Sequence, residues 1–158
     1  MKILNNRGFL DVKKSMTLAV WVYPLSGGPI VSYSDGSETQ CGVQVFYTKT
    51  DRKLLIFKLV KRNNKFTTEI EVEMKDNQWS YIAATYDFAS GKAALKVNDS
   101  RKEQFVGHFH LATNHAIMLG SVNNYHFAGR MFCFQIYKKA LNKTQLARAK
   151  TCTKCLQV

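Results

Sequence analysis

The sequence predicts an all-β fold, an antiparallel sandwich or barrel closed by one short C-terminal helix. Three observations predict it. Apolar residues recur at period two in many short stretches, turn residues separate those stretches at close intervals, and helical periodicity is confined to the last part of the chain. A chain of 158 residues with 46% hydrophobic and 12% aromatic content is read as a single domain, residues 1–158, large enough to bury its own core.

The elements follow in order. Residues 16–23 alternate Leu18, Val20 and Val22 against Thr17, Ala19, Trp21 and Tyr23, a strand with two usable faces that ends at Pro24 and the Ser26-Gly27-Gly28-Pro29 loop. Ile30, Val31 and Tyr33 form a short strand before the polar turn Ser34-Asp35-Gly36-Ser37. Val43, Val45 and Tyr47 alternate with Gln44 and Phe46, and Leu54 to Val60 is nearly continuous apolar around Lys58. Phe66 to Met74 is a further strand. Trp79 to Tyr86 has apolar groups on both faces and is read as a central strand. A turn at Ser90-Gly91 then leads to Ala93, Leu95 and Val97, alternating with Lys92, Ala94, Lys96 and Asn98. Short strands are expected at Phe105, Val106 and Phe109 and at Ile117 to Leu119. A long one runs from Phe127 to Tyr137, with Phe132, Phe134 and Ile136 assigned to one side and Met131, Cys133, Gln135 and Tyr137 to the other. Asn142 is the expected N-cap of the helix, Gln145 completes a capping box, and Leu146 and Ala149 form its apolar stripe.

Charge narrows the partner. The formal charge is +12, from 23 Lys and Arg against 11 Asp and Glu. Lys49, Arg52, Lys53, Lys58, Lys61, Arg62 and Lys65 crowd one stretch; Lys138, Lys139, Lys143, Arg148, Lys150 and Lys154 form a second. Such a surface attracts polyanions by long-range steering. Nucleic acid, sulfated glycan, acidic protein and anionic membrane all satisfy that requirement. No apolar run reaches membrane-spanning length, and residues 1–14 lack the pattern of a signal peptide.

The hairpin NQWSYIAATYDFASGKAALKVND, residues 77–99, resembles the middle of laminin G-like and pentraxin-like domains of the concanavalin A-like superfamily. SMTLAVWVYPL (15–25), PIVSYSDG (29–36) and the segment from Ile117 to Cys152 extend the resemblance over nearly the whole chain. Asp99 departs from it, standing where the family often has Gly. The resemblance implies a two-sheet jelly-roll sandwich and a domain excised from a longer secreted protein of the extracellular matrix. The four cysteines by themselves allow three pairings. The resemblance implies Cys133 with Cys152, leaving Cys41 and Cys155 to pair or stay free. Similar domains often bind calcium on a rim loop, and Asp35, Glu38, Asn123 and Asn124 are the candidate ligands here.

Glu69-Ile-Glu71-Val-Glu73 places three carboxylates on one strand face. Read with Glu69 and Glu73 about 7 Å apart, they suit a glycosidase pair, and the pattern resembles the active strand of sandwich-fold glucanases, with Glu71 standing where those enzymes have Asp. Cys152-Thr-Lys-Cys155 lacks the second half of a zinc site. His108, His110, His115 and His126 lie close in sequence, with His108 and His110 expected on a shared strand face. Asn98-Asp-Ser100 and Asn142-Lys-Thr144 are sequons.

The functional expectation is a non-catalytic extracellular adhesion or recognition module. Its ligand is an acidic polymer, a sulfated glycosaminoglycan or acidic matrix component, gripped by Lys49, Arg52, Lys53, Lys61 and Arg62 and by Lys138, Lys139 and Lys143 through charge-assisted bonds. A matrix domain of a mineralised tissue, meeting acidic proteins or carbonate, and a glucanase using Glu69 and Glu73 are the alternatives.

Overall fold

The computed structural model describes residues 1–36, 41–63 and 67–152. The strands are β1 (Lys2–Ile3), β2 (Met16–Pro24), β3 (Gly28–Ser34), β4 (Cys41–Lys49), β5 (Lys53–Val60), β6 (Thr67–Glu73), β7 (Ser80–Asp87), β8 (Lys92–Val97), β9 (Ser100–Phe105), β10 (Ala116–Leu119), β11 (Ser121–Val122), β12 (Tyr125–His126) and β13 (Gly129–Tyr137). A helical turn covers Asn6–Gly8, and the helix α1 spans Lys143–Lys150. One sheet has the order β1-β10-β3-β4-β5-β6, the other β13-β2-β7-β8-β9, and β11-β12 is a separate hairpin. Every pairing is antiparallel.

The period-two pattern decides which side chains meet. On β2 the residues Met16, Leu18, Val20 and Val22 face inward, and they pack with Ile82, Ala84, Tyr86 and Leu95 of the same sheet and with Tyr33, Val43, Val45, Leu55, Phe57 and Ile70 of the other. Burial of this apolar surface from both sheets is the main stabilising term. Three buried tyrosines keep their hydroxyls satisfied at the rim: Tyr33 donates to the Leu10 carbonyl (2.9 Å), Tyr47 to that of Met74 (3.3 Å) and Tyr86 to that of Phe109 (2.9 Å). Burial, with the Asp11 charge behind it, pushes the Tyr33 phenol well above its ordinary range.

Two glycines let backbones approach. A Cβ on Gly42 would lie 2.0 Å from the Ala112 carbonyl oxygen, and one on Gly28 would lie 2.5 Å from that of His126. The β11-β12 hairpin therefore seats directly on the start of β3.

The five-stranded sheet shows a departure from the expected alternation. The pairing of β13 with β2 shifts register between Phe132 and Gln135, and Cys133 has a φ of 55°. This bulge inserts a residue, so Phe132 does not share a side with Phe134 and Ile136. Met131, Phe134 and Ile136 face the core, whereas Phe132 lies outside against Trp21. A strict period-two reading cannot anticipate an inserted residue.

The outer face of this sheet carries α1. Leu141 and Leu146 pack on Ala19, Tyr81 and Ala83, with Trp21, Tyr137 and Ala149 at the margin. Asn142 accepts from the Gln145 backbone N–H and the Gln145 side chain accepts from that of Asn142, both arms of the capping box. Cys133 is disulfide-bonded to Cys152, which ties the bulge to the segment after the helix.

Smaller differences concern the edges. β9 begins at Ser100, earlier than the strand read around Phe105, because its first residues are polar and pair only along one edge. The residues from Val106 to Phe109 and the paired histidines His108 and His110 are outside any strand, so those two histidines share no strand face. β1 and the β11-β12 hairpin, two residues per strand, are too short to leave a period in the sequence. The turn after β8 takes its left-handed residue at Asn98 (φ 50°), which leaves Asp99 free of that demand.

Candidate functional site

An open groove of about 600 Å³ lies on the outer face of the six-stranded sheet, between that sheet and the β11-β12 hairpin. Gly27, Gly28 and Pro29 form its floor at one end. Cys41, Gln44 and Phe46 line it from β4, and Val122, Asn123, Tyr125 and His126 from the hairpin. Alternation explains the β4 side: Val43, Val45 and Tyr47 turn inward, so Gln44 and Phe46 turn out. Asn123 is in the left-handed region (φ 53°) at the hairpin turn, a conformation that asparagine tolerates.

Two features give the groove chemistry. The Asn123 side-chain carbonyl oxygen is buried and has no hydrogen-bond partner, an acceptor that a ligand hydroxyl or amide can satisfy. Beside it Tyr125 is 73% exposed, an aromatic face with a polar tip. Gln44 and His126 add further hydrogen-bonding groups. The arrangement can hold a polyhydroxylated ligand by edge-on hydrogen bonds and ring contact. Of these residues the sequence singled out Asn123 as a candidate calcium ligand, His126 as one of four histidines close in the chain and Cys41 as a cysteine left to pair or stay free. The paired asparagines between Val122 and Tyr125 are the one signal that could have located the hairpin.

The basic residues are placed differently from their spacing in the chain. Lys49, Arg52 and Lys53 cluster where β4 turns into β5, whereas Lys61 and Arg62 lie past the far end of β5, about 25 Å away at strand rise. They do not make one face. Several are also paired: Lys49 and Lys53 each reach Asp76 at 2.6 Å, Arg52 reaches Glu73 at 3.4 Å, and Arg62 pairs with Asp11. Lys61 sits 5.1 Å over the Phe109 ring. Lys138, Lys139 and Lys143 are exposed on the side of the other sheet, with no ion pair to an acid among the described residues.

Glu69, Glu71 and Glu73 are exposed on the outer face of β6, an edge strand, above Ile70 and Val72. Their register places them opposite Lys58, Ile56 and Leu54. The spacing read for the outer pair needs correction, since four residues of rise at about 3.3 Å put Glu69 and Glu73 about 13 Å apart, wider than a glycosidase pair. His108 donates from its Nδ1–H to the Phe88 carbonyl (2.7 Å), and His110 stacks on the Phe88 ring.

For calcium, Asn123 offers one free carbonyl at the groove, and Asp35 is exposed one residue beyond Ser34, the register partner of Cys41. Asn124 is exposed at the hairpin turn, and Glu38 lies outside the described residues. Among the described residues no three His, Cys, Asp or Glu side chains gather as a metal site. Cys41 has no disulfide partner among the described residues, and Cys155 lies outside them. Both sequon asparagines use their side chains in the fold. Asn98 accepts from the Tyr81 N–H and donates to Ser80, and Asn142 caps α1.

Residues 3–147 match the family model Laminin_G_3, described as concanavalin A-like lectin/glucanases superfamily. The chain belongs to this superfamily. No curated protein matches the laminin G-like chain significantly. Among solved structures it is similar to the CBM40 module of a Ruminococcus gnavus sialidase bound to α2,6 sialyllactose, at TM-score 0.72 and 12% identity over 94% of this chain and 92% of that one. It is also similar to the SAP-like pentraxin of Limulus polyphemus (TM-score 0.63, 16% identity, 91% and 71% covered). A third likeness is to domains LG4-5 of mouse laminin α1 (TM-score 0.64, 12% identity, 85% and 40% covered). At these identities the likeness shows the fold. No helix among the described residues is long and apolar enough to cross a membrane.

Proposed function

We propose that this laminin G-like domain is a non-catalytic recognition module that binds an acidic glycan in the groove beneath the β11-β12 hairpin. The unsatisfied Asn123 carbonyl beside the exposed Tyr125 ring carries the reading, because a saccharide offers hydroxyls to the one and a ring face to the other. The net charge of +12 favours an acidic ligand by steering. Similarity to a module seen with sialyllactose, itself an acidic sugar, supports the class. The disulfide fits an oxidising, extracellular setting.

A second contact region accommodates longer acidic polymers, a sulfated glycosaminoglycan or an acidic matrix component. Lys138, Lys139 and Lys143 are exposed cations with no acid against them among the described residues, unlike Lys49, Arg52 and Lys53.

A glycan array at two salt concentrations, with and without calcium, tests the reading. Sialylated or sulfated glycans should be retained at low salt, weaken at high salt, and be lost in Asn123→Ala and Tyr125→Ala proteins that remain folded. Retention of neutral sugars alone, or indifference to both substitutions, would overturn it.

A further inference from the structure

The outer face of the five-stranded sheet holds an aromatic platform that is separate from the groove. The bulge in β13 turns Phe132 outward, where it lies parallel to Trp21 at 5.8 Å (8° between planes) and edge-on to Trp79 at 5.1 Å. Trp79 in turn meets Tyr23 at 5.6 Å. Phe132 is 49% and Trp79 40% exposed, a large apolar outlay for rings that the core does not need. Two cations border it: Arg130 lies 6.0 Å from the Tyr23 ring and Lys150 5.4 Å from that of Trp21. Neither forms an ion pair with an acid among the described residues.

We infer that this platform is a second saccharide site, specific for chains that carry carboxylates, such as uronate-containing oligosaccharides. A pyranose presents a flat face of C–H groups, and these lie well against the electron-rich face of an indole or phenyl ring. The rim cations decide between neutral and acidic sugars. A ring seated on Trp79 and Phe132 brings a ring carboxylate toward Arg130, whose planar guanidinium can donate two parallel N–H bonds to it. The choice of a saccharide rests on the glycan-binding reading above; the location does not. The two sheets stack face to face, so the groove and the platform look in opposite directions. One short oligosaccharide cannot occupy both.

Trp21 and Trp79 are the two tryptophans of the chain, so intrinsic emission reports on the platform without a label. A hyaluronan hexasaccharide should shift or quench that emission saturably, a neutral chitin hexasaccharide much less. Phe132→Ser should abolish the response. Arg130→Gln should weaken affinity for the uronate chain about tenfold, the size of one charge-assisted contact, and reduce its salt dependence. Tyr125→Ala, which removes the groove's ring, should leave the emission response intact. Loss of sialyllactose binding on the array in Tyr125→Ala with the hyaluronan emission response retained supports two sites; loss of both in that variant overturns the platform. No saturable emission change, or an equal response to the neutral chain, overturns it too. A stronger response to polyglutamate assigns the face to an acidic peptide instead. Self-association that disappears in Phe132→Ser, measured by sedimentation, assigns it to a second copy of the chain.

Discussion

Asp76 sits between Lys49 and Lys53, each at 2.6 Å, and the hydrogen bonds from those lysines hold its carboxyl down at about 2. The folded value lies below the ordinary 3.9 or so, so the pairing stabilises the fold above about pH 4 and its contribution disappears as pH falls through about 2. Asp87, held low by Ser90, and Glu103, held low by Arg101 and Lys92, act with the same sign. Asp76→Asn should therefore lower the urea midpoint near neutrality, and the gap to the parent protein should close between pH 5 and about 2. A gap that stays constant with pH would show that Asp76 acts through packing and not through charge. The sequence marks Lys49 and Lys53 as part of a basic cluster, but not that Asp76, more than twenty residues on, returns to neutralise them.

At the scale of elements, α1 is held by three devices: its capping box, the burial of Leu146, and the Cys133–Cys152 bond. The cysteines are 19 residues apart, and closing a loop of that length restricts the unfolded chain by about 3 kcal/mol. A Cys133→Ser, Cys152→Ser protein should lose roughly that much in denaturant unfolding. Loss of amide protection should be concentrated in α1 and β13. Equal loss throughout both sheets would contradict the local role given to the bond. The helix was legible because its cap, box and stripe are local in sequence. The outward turn of Phe132 was not, because the bulge is imposed by the pairing of β13 with β2.

For the whole molecule, positive charge is spread over both sheets and both ends of β5 and is not gathered on one face. Attraction to a polyanion then comes from the summed field, not from one dominant contact. On a heparin column the domain should elute at elevated salt. Lys138→Gln, Lys139→Gln and Lys143→Gln should each move elution by a small and similar amount, with the triple substitution close to their sum. A single substitution that abolished retention would reveal a discrete sulfate pocket.

Period-two alternation, turn residues and the helix cap by themselves determined an antiparallel all-β fold closed by one short helix, since each acts between neighbours in the chain; the choice of a sandwich over a barrel came from the resemblance to laminin G-like domains. Only the tertiary structure decided which charges are neutralised, where an inserted residue reverses a strand's outer face, and which short hairpin closes over a groove. Those outcomes depend on residues that meet across sheets after long separations, and no local pattern records such meetings.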